Sequence, residues 1–485
     1  MTAIRRSGPG LSRTLDAGML GAFLTAWLVL TGCVQHPPLP LLPNQRASAL
    51  EARSLADPGL KAFLQAQGAL NSLEWPLREW TVDQLVLAAL YFQPALEVAR
   101  AEWRVAQAGR ITAGARPNPA ISVGPGYNLT PESGISPWLA FVDMDVPIET
   151  AGKRTHRMER ACQEEQAARL RILEAAWQVR GRVRTAWIEG AFAAKRVQVL
   201  CQQITDLEAA QRLMRQKIQA GAASTLEAQH QTILLQKARL ELAEAQRQQA
   251  QSRADLAAAL GVPLRALEAI SVAPPATALP ASVEQLSSPQ VRMAALTNRA
   301  DLRAALADYE AAQAALQLEV ARQYPDVKLG PGYEYDQGDN KIGLRLGLDL
   351  PILNRNEGPI AEALARRELA AARFVEAQSR AMAEMDAALA AWRLANNHVQ
   401  AASALARELA AQRLRIEAML RSGDAEALDE RQAAIEERAA VLLALDAENH
   451  RWQALNRLEA AMQSTFAVPK ELLENAPAST PASLP

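Results

Sequence analysis

The sequence is poor in the residues that most catalytic, metal and disulfide sites require. Only 5 % of its 485 residues are aromatic, and it contains 3 cysteines and 5 histidines. Three cysteines cannot build a disulfide framework, and Cys162 and Cys201 fall in helical patterns, where we expect them to pack in the core or between helices. The histidines lack metal-ligand spacing, and no Ser/His/Asp or Cys/His arrangement stands out. We therefore expect no catalysis, no resident metal and no cofactor.

An excess of charge of either sign is also missing. Lys and Arg total 52 against 53 Asp and Glu, which gives a net charge of −1, so nothing indicates a nucleic-acid partner. The chain is too long for one ordinary compact core. Ala, Leu, Gln, Arg and Glu fill most long stretches, and such a composition favours long helices.

Proline and glycine are almost absent from two long stretches. From Lys153 to about residue 220 there is no proline, and glycine occurs only at Gly181 and Gly190. The stretch from Ile360 to about Leu420 contains neither. Each stretch predicts a helix of about 60–65 residues, on the order of 90–100 Å long. Helices of that length require a coiled-coil or helical-tube setting.

The N-terminus has the layout of a secretory signal. Arginines precede an apolar run over 17–30, and the run ends in Leu-Thr-Gly before Cys33. This ending resembles the bacterial lipobox, in which the cysteine becomes the first mature residue and carries acyl chains; the alternative is an uncleaved anchor. Val34, rather than Asp, points by analogy to the outer membrane. We predict a signal peptide over 1–32 and a lipidated tether over 33–80.

The chain contains an internal repeat. Pro119 to Tyr127 recurs 206 residues later as 325–333, and 145–148 recurs 204 residues later as 349–352. Gly221 matches Gly423 at 202 residues. Such self-similarity indicates two copies of one structural unit. We place them at 81–272 and 290–465, with a linker over 273–289 and a disordered tail over 466–485.

Each copy contains two strand patterns of about 10 residues. In the second copy Ile342, Leu344, Leu346 and Leu348 alternate with polar or small residues, as in a strand with one apolar face. That length crosses a bilayer at a barrel tilt, although hairpins of a soluble sandwich would show the same alternation. The aromatic residues near the loop-side strand ends are predicted to form a membrane girdle. These are Tyr127, Trp138, Tyr333 and Tyr335.

Four strands are too few to close a barrel. Lipid offers no hydrogen-bond partners to open strand edges, so an unclosed sheet cannot span a membrane. The strands must therefore be pooled among chains, and three chains would supply twelve strands and a lumen. The residues alone predict a fold that is mainly α with membrane β, in which four strands per chain belong to a barrel shared among chains.

Glycines mark the far ends of the two long helices. Gly221 and Gly423 are predicted to be left-handed caps, and Ser224 and Asp424 are predicted to cap the helices that return. Shorter helices are expected over 82–91, 95–116, 289–297 and 300–322. Two short helices laid end to end match one long helix, so such units can tile a cylinder.

Taken together, these features resemble the TolC-like outer-membrane efflux family over residues 80–465. The resemblance is carried by the duplicated unit, 93–96 before the second helix, Pro147-Ile148 and Pro351-Ile352 at strand ends, and the two tip glycines. The segment 350–363 looks closest to the branch that serves heavy-metal resistance pumps. Met419 departs from the family, which often has an aromatic residue there.

The resemblance implies a homotrimeric channel-tunnel that conducts substrates passively. Four strands per chain would contribute to a trimeric 12-stranded outer-membrane β-barrel, continued by a long α-helical barrel. Its helical tips, at Gly221 and Gly423, would contact a periplasmic adaptor protein and, through it, an inner-membrane transporter. Acidic residues at the tips would ring the aperture, here Glu227 and Asp429 together with Asp424. A carboxylate ring favours cations, whereas the alternative is that these are solvated surface acids.

The cargo and the architecture leave alternatives open. A metal or drug pump is the first expectation for the partner system. A type I protein-secretion exit duct is a second, and a structural coiled-coil lipoprotein without a pore is a third. The strand alternation favours a channel, because a scaffold does not need membrane-length strands with one apolar face.

Overall fold

The computed structural model describes residues 36–70, 74–268, 270–275 and 288–463. The predicted signal peptide, Cys33, the tail over 466–485 and most of the linker lie outside these residues. The chain divides into two units, 1–52 and 53–485. In the described part of the first unit, α1 (Pro43–Glu51) begins with a proline, which suits the first helical turn, and buries none of its residues.

The second unit begins with a small folded segment. Helix α2 (Pro58–Ala66) starts at Asp57, whose carboxylate accepts a hydrogen bond from the Leu60 amide. Strand β1 (Glu79–Trp80) pairs in parallel with β4 (Ser271–Val272). Because the Trp80 side chain is fully buried with Leu60 in the first large core, the described part of 53–80 is packed against the first copy.

The two copies have the same order of elements. The first contains α3 (Val82–Phe92), α4 (Pro94–Gly114), β2 (Ala120–Tyr127), β3 (Trp138–Ile148), α5 (Lys153–Gln219) and α6 (Thr225–Leu260). The second contains α7 (Pro289–Asn298), α8 (Ala300–Ala321), β5 (Val327–Asp336), β6 (Asp339–Leu348), α9 (Glu357–Ser422) and α10 (Ala427–Met462). A mainly helical fold with antiparallel strands is thus confirmed. The two predicted long helices have 67 and 66 residues.

The helices lie side by side. The long helix α5 contacts α4 and α6 of its own copy on one flank and α8 and α10 of the second copy on the other. The second long helix, α9, contacts α8 and α10. Where α6 meets the start of α4, Gly261 has φ +76°, and a Cβ there would lie 3.1 Å from the Phe92 carbonyl oxygen. Glycine is required at this junction both for its left-handed conformation and for the close approach.

The four longer strands form one antiparallel sheet in the order β2-β3-β5-β6. Two hairpins supply it, and β3 of the first copy pairs with β5 of the second. Strands β2 and β6 are the two edges. Within 53–463 as described, each edge has one row of backbone groups without a strand partner.

The buried side chains form two main hydrophobic cores and several smaller ones along the long helices. The first main core joins α2, α3, α4, α5 and α6, and the second lies around Trp187 and Trp452, whose rings meet edge to face at 6.2 Å. The prediction that Cys162 and Cys201 are packed is wrong for this chain, because both side chains are exposed on α5. Among the described helices, none combines the length and apolar character needed to cross a membrane.

Candidate functional site: sheet faces, charged cleft and helical tips

One face of the sheet is apolar across all four strands. Val123 lies opposite Val142, which lies opposite Tyr333, which lies opposite Ile342. Directly opposed residues share a face, so this row runs unbroken from one edge to the other. All four side chains of this row are exposed, and Ile342 reaches 91 % exposure. In water such an exposed apolar face is unfavourable.

The opposite face carries the charges. Asp143 of β3 forms an ion pair with Arg345 of β6 across the intervening strand β5, and Lys328 pairs with Asp349 at 3.0 Å. Gly332 leaves the space that the Asp143 carboxylate occupies, because a Cβ at this position would collide with it. Apart from Phe141 and Leu139, this face is therefore polar or lined by small residues, as a surface in contact with water would be.

The four aromatic residues predicted to form a girdle share the apolar face. Tyr127 lies opposite Trp138 at the loop end of the first hairpin, with ring centroids 5.1 Å apart and an interplanar angle of 80°. Tyr333 and Tyr335 lie on β5, and the Tyr333 hydroxyl donates to Asn340 Oδ1 at 2.5 Å. Their contact with lipid stays a prediction.

A cleft of about 1490 Å³ opens across α5, α6, α8 and α9. Its walls carry charges of both signs. Burial, followed by the nearby Asp301, raises the pKa of Glu174, and burial together with Asp255 raises the pKa of Glu189.

The tips of the two long helices turn in similar ways. Gly221 has φ +73° and Gly423 has φ +84°, so both adopt the predicted left-handed conformation. Ser224 caps α6 as predicted: its hydroxyl accepts from the Glu227 amide at 3.3 Å, and the Glu227 carboxylate accepts from the Ser224 amide at 3.0 Å. The first tip therefore closes with a reciprocal capping box.

The prediction that Asp424 caps the second returning helix is wrong. The N-cap of α10 is Glu426, and the Asp429 carboxylate accepts from the Glu426 amide at 2.9 Å. Asp424 lies two residues too early and instead accepts from the Ser422 hydroxyl at 2.7 Å. Glutamate is an uncommon N-cap, which is why the sequence pattern pointed to the nearby aspartate.

The predicted aperture acids Glu227 and Asp429 are exposed and occupy equivalent positions in the two capping boxes. The structure adds a cation to them. Lys217, at the end of α5, forms an ion pair with Glu426. This hydrogen bond, together with the charges of Glu426, Asp429 and Glu227, raises the pKa of Lys217. Lys217 and Glu426 are 209 residues apart, so no local pattern predicts their contact.

A second ionic cluster, also missed from the sequence, ties α10 to both long helices. Asp206 of α5 pairs with Arg431 at 3.1 Å and with Arg438 at 3.8 Å. On the α9 side, Arg413 pairs with Glu430 at 3.4 Å and with Glu437 at 2.8 Å. Among the described residues, no group of three or more His, Cys, Asp or Glu side chains has metal-holding geometry.

One family of known proteins matches most of the chain. The sequence matches the family described as outer membrane efflux protein over residues 85–262 and 291–463. It is 24 % identical over 280 residues to the cobalt-zinc-cadmium resistance protein CzcC of Cupriavidus metallidurans. That alignment covers 57 % of this chain and 64 % of CzcC, so the chain spans less than two thirds of this relative's length.

Solved structures show the same fold. The outer membrane protein VceC of Vibrio cholerae superposes with a TM-score of 0.63 at 20 % identity, covering 79 % of this chain and 95 % of VceC. CusC superposes with a TM-score of 0.62 at 17 % identity, covering 89 % of this chain and 98 % of CusC. At these identities the likeness establishes the fold.

Proposed function

Because the chain belongs to the outer membrane efflux protein family, we propose that it is the outer-membrane exit duct of a tripartite efflux system. The duct conducts substrates passively from the periplasm to the exterior and performs no catalysis. The observation that carries this proposal is the sheet with one apolar and one charged face. Such a sheet suits lipid on one side and water on the other.

The duct is a homotrimer in this proposal. Each chain has an unpaired edge at β2 and another at β6 within its described residues, and open edges are not tolerated in hydrocarbon. Three chains supply twelve strands, enough for a barrel wide enough to hold water. The helices support the same assembly: Leu226, Ile233 and Leu240 recur every seven residues on α6 and are exposed, as expected of a coiled-coil seam without its partner.

The helical tips are the proposed docking ends for a periplasmic adaptor protein, which connects to an inner-membrane transporter. Gly221 and Gly423 form the tip turns. Glu227 and Asp429, with Asp424 nearby on the second tip, would line the aperture. Their exposure supports that role, and the neighbouring Lys217 partly balances their charge.

Two further parts of the proposal concern anchoring and cargo. Acylation of Cys33 would attach each chain to the outer membrane beside the barrel, with the aromatic residues at its lipid interface. The similarity to a cobalt-zinc-cadmium resistance protein supports divalent metal ions as the cargo of an RND-type pump. Drugs, or proteins leaving by a type I route, are the competing cargoes.

Two substitutions on one strand test the duct. Gly343 lies on the charged face, where a Cβ would meet no atom within 4 Å, whereas its neighbour Ile342 lies on the apolar face. Gly343→Trp is expected to lower single-channel conductance in planar bilayers several-fold and to reduce metal tolerance of a complemented deletion strain. Ile342→Trp, the matched control, should keep both.

The outcomes separate the parts of the proposal. Equal effects of Gly343→Trp and Ile342→Trp would contradict the assignment of the two faces. Wild-type protein that forms no conducting channel would refute the duct itself. Profiling the deletion strain against cobalt, zinc, cadmium, a drug panel and secreted proteins identifies the cargo.

A further inference from the structure

A hollow of about 430 Å³ lies on the charged face of the sheet. Glycines form part of its lining: Gly332 of β5 lies directly opposite Gly343 of β6, and Gly330 lies two residues before Gly332. A Cβ added at Gly343 would meet no atom within 4 Å. Glycine inside a strand gives up side-chain packing and often marks a place where a ligand approaches the backbone.

An aromatic ring borders the hollow on β3. The Phe141 side chain occupies the space above Gly124 of β2, where an added Cβ would collide with the ring. It is still 43 % exposed, although Asp143 and Asp145 follow it on the same face of β3. The face of an aromatic ring carries negative potential and attracts cations. The position of Phe141 is therefore suited to contact with a cation.

Glu334 supplies a carboxylate at the rim of the hollow. In the sheet it lies directly opposite Phe141 on one side and Lys341 on the other. The Lys341 ammonium pairs with Asp336 at 2.5 Å. In the part of the chain that the structure describes, Glu334 forms no hydrogen bond and no ion pair. Its exposed carboxylate is thus available to a ligand.

The other charges at the hollow are balanced. Asp143 and Arg345 form an ion pair, and Lys341 is engaged by Asp336, so among the described lining residues Glu334 is the carboxylate in excess. A single carboxylate provides too few oxygen ligands for Ca²⁺ or Mg²⁺, which take about six. Next to an aromatic ring, one carboxylate is instead suited to an organic cation.

We propose that the hollow binds organic cations that carry an aromatic ring, with the ring against Phe141 and the positive charge beside Glu334. Gly124, below the Phe141 ring, and Glu334 lie two strands apart, about 9–10 Å, which a fused three-ring cation spans. The hollow has the volume of a small-molecule site. This inference rests on the proposed duct, whose lumen the charged face would line, and gives the wall a preference for one chemical class.

The two contacts are individually weak, which suits a duct. A cation–π contact at an exposed site and a surface ion pair each change affinity by only about two- to fivefold. A conducting pore requires binding weak enough for the cargo to leave. Aromatic cations would therefore be retained briefly at the wall during export.

Ethidium, a fluorescent three-ring cation, tests the site in purified full-length protein. Fluorescence anisotropy at 0.15 M salt measures its binding to the wild type, Phe141→Leu, Glu334→Gln and the control Asp145→Asn. Asp145 is an exposed carboxylate on the same face but outside the hollow, about 13 Å along β3 from Phe141. We expect Phe141→Leu and Glu334→Gln each to weaken binding about two- to fivefold. Asp145→Asn should weaken it by less than about 1.5-fold, because salt screens charges at that distance.

Small ions that displace ethidium separate the two contacts. Benzyltrimethylammonium and tetramethylammonium differ by one aromatic ring, and the first should displace half of the ethidium at about two- to fivefold lower concentration. This difference should vanish in Phe141→Leu and persist in Phe141→Tyr. Benzenesulfonate, which combines the ring with a negative charge, should not displace ethidium.

Several outcomes would overturn the site. Equal loss of ethidium binding in Glu334→Gln and Asp145→Asn would reduce the effect to a general attraction of cations by an acidic face. Unchanged binding in Phe141→Leu, or displacement by benzenesulfonate, would be equally decisive. Heat-sensitive oligomer migration on gels shows whether each variant has assembled, and the comparison of Glu334→Gln with Asp145→Asn still decides if Phe141→Leu does not assemble.

The site and the duct fail in different ways. Ethidium binding that depends on Phe141 and Glu334, in a protein without conductance in planar bilayers, would support the site and refute the duct. A conducting channel whose ethidium binding ignores both substitutions would overturn the site and leave the duct intact.

Discussion

The two copies of the repeat hold the end of their returning helix in different ways. In the first copy, Arg53 donates to the carbonyl oxygens of Phe92 at 2.7 Å and Gly261 at 2.8 Å. The Gln93 amide donates to the carbonyls of Ala258 and Ala259 at the end of α6. One of the two side chains therefore comes from outside the repeat.

The second copy does the same task with its own residues. Arg299 stands at the position of Gln93, 206 residues later, and is only 5 % exposed. It donates to the Ala461 carbonyl near the end of α10 at 3.0 Å and pairs with Asp301 and Glu384, each at 2.8 Å. The Gln463 side chain accepts from the Ala300 amide at 3.0 Å.

The difference shows that one duplicated architecture tolerates two solutions to one physical problem, the unpaired carbonyls at a helix end. It also makes the first copy dependent on the segment before it, since Arg53 and the buried Trp80 both precede the repeat. The second copy meets the same need with Arg299 and Gln463, which both belong to its own repeat.

The largest expected effect comes from breaking the contact between copies. Glu459 of α10 lies between Arg180 at 2.6 Å and Arg184 at 3.2 Å on α5, and all three are buried. Burial already lowers the pKa of Arg184. Glu459→Ala should lower the free energy of unfolding by about 3–5 kcal/mol, because it leaves two buried arginines without their shared carboxylate.

Urea unfolding followed by helical circular dichroism measures this loss. The exposed Glu436 of the same helix supplies the control, and Glu436→Ala should change stability by less than about 0.5 kcal/mol. Equal effects of the two substitutions would mean that the Glu459 cluster does not join the copies.

A second pair of variants compares the two helix-end solutions directly. Arg299→Ala removes buried, charge-assisted bonds to two carboxylates and one carbonyl, and should cost about 3 kcal/mol. Arg53→Ala removes two bonds from a half-buried side chain and should cost about 1–2 kcal/mol. The exposed Arg303 is the control for loss of an arginine. If Arg53→Ala proved as costly as Arg299→Ala, the second copy would have no advantage from its internal arginine.

The tips differ on a smaller scale. Ser224→Ala should destabilise the first turn of α6 by about 1 kcal/mol, because the Glu227 amide loses its acceptor. Asp424→Ala should leave the first turn of α10 unchanged, since Glu426 caps it. Hydrogen exchange of the amides at 227 and 429 reports each effect locally, and faster exchange at 429 in Asp424→Ala would restore Asp424 as a cap.

The smallest expected effect is a pH dependence in the charged cleft. Burial and Asp301 raise the pKa of Glu174 in the folded protein, against the opposing charges of Arg171, Arg380 and Arg299. When the pH rises past the pKa of Glu174 in the unfolded chain, the unfolded chain ionises first and gains stability relative to the folded state. The stability that protonated Glu174 contributes to the folded state is therefore lost progressively as the pH rises through its raised folded-state pKa. Glu174→Gln should therefore be more stable than the wild type at pH 8.

That advantage should vanish below about pH 4, where the carboxyl is protonated in both states. The exposed Glu408 provides the control, and Glu408→Gln should show no such trend. Unfolding midpoints at the two pH values are sufficient to measure the difference.

The backbone of this fold is largely predictable from the sequence because local patterns determine it. The scarcity of proline and glycine predicts α5 and α9, and the strict alternation of apolar residues with polar or small ones predicts β6. The side-chain contacts are less predictable. Ser224 follows a common capping rule and was predicted correctly, whereas Glu426 follows none and the prediction fell on Asp424.

Contacts that depend on distant parts of the chain have no sequence signal at all. The sequence around Lys217 does not predict its ion pair with Glu426, and the sequence around Arg53 does not predict its hydrogen bond to Gly261. The exposure of Cys162 and Cys201 belongs to the same class, since a helical pattern does not reveal which flank of a 67-residue helix a neighbour covers.

The two edge strands of the sheet, β2 and β6, also have a consequence for how the protein is assembled. On the route to the proposed duct, a newly exported chain would present a strand edge on each side and an apolar face such as Ile342 to water, which is a hazard for misassociation. An isolated subunit of the proposed duct would then be at risk of aggregation until its edges are paired. If the barrel is shared among chains as proposed, its assembly speeds up with subunit concentration, so low expression should reduce its yield more than that of a barrel closed by a single chain.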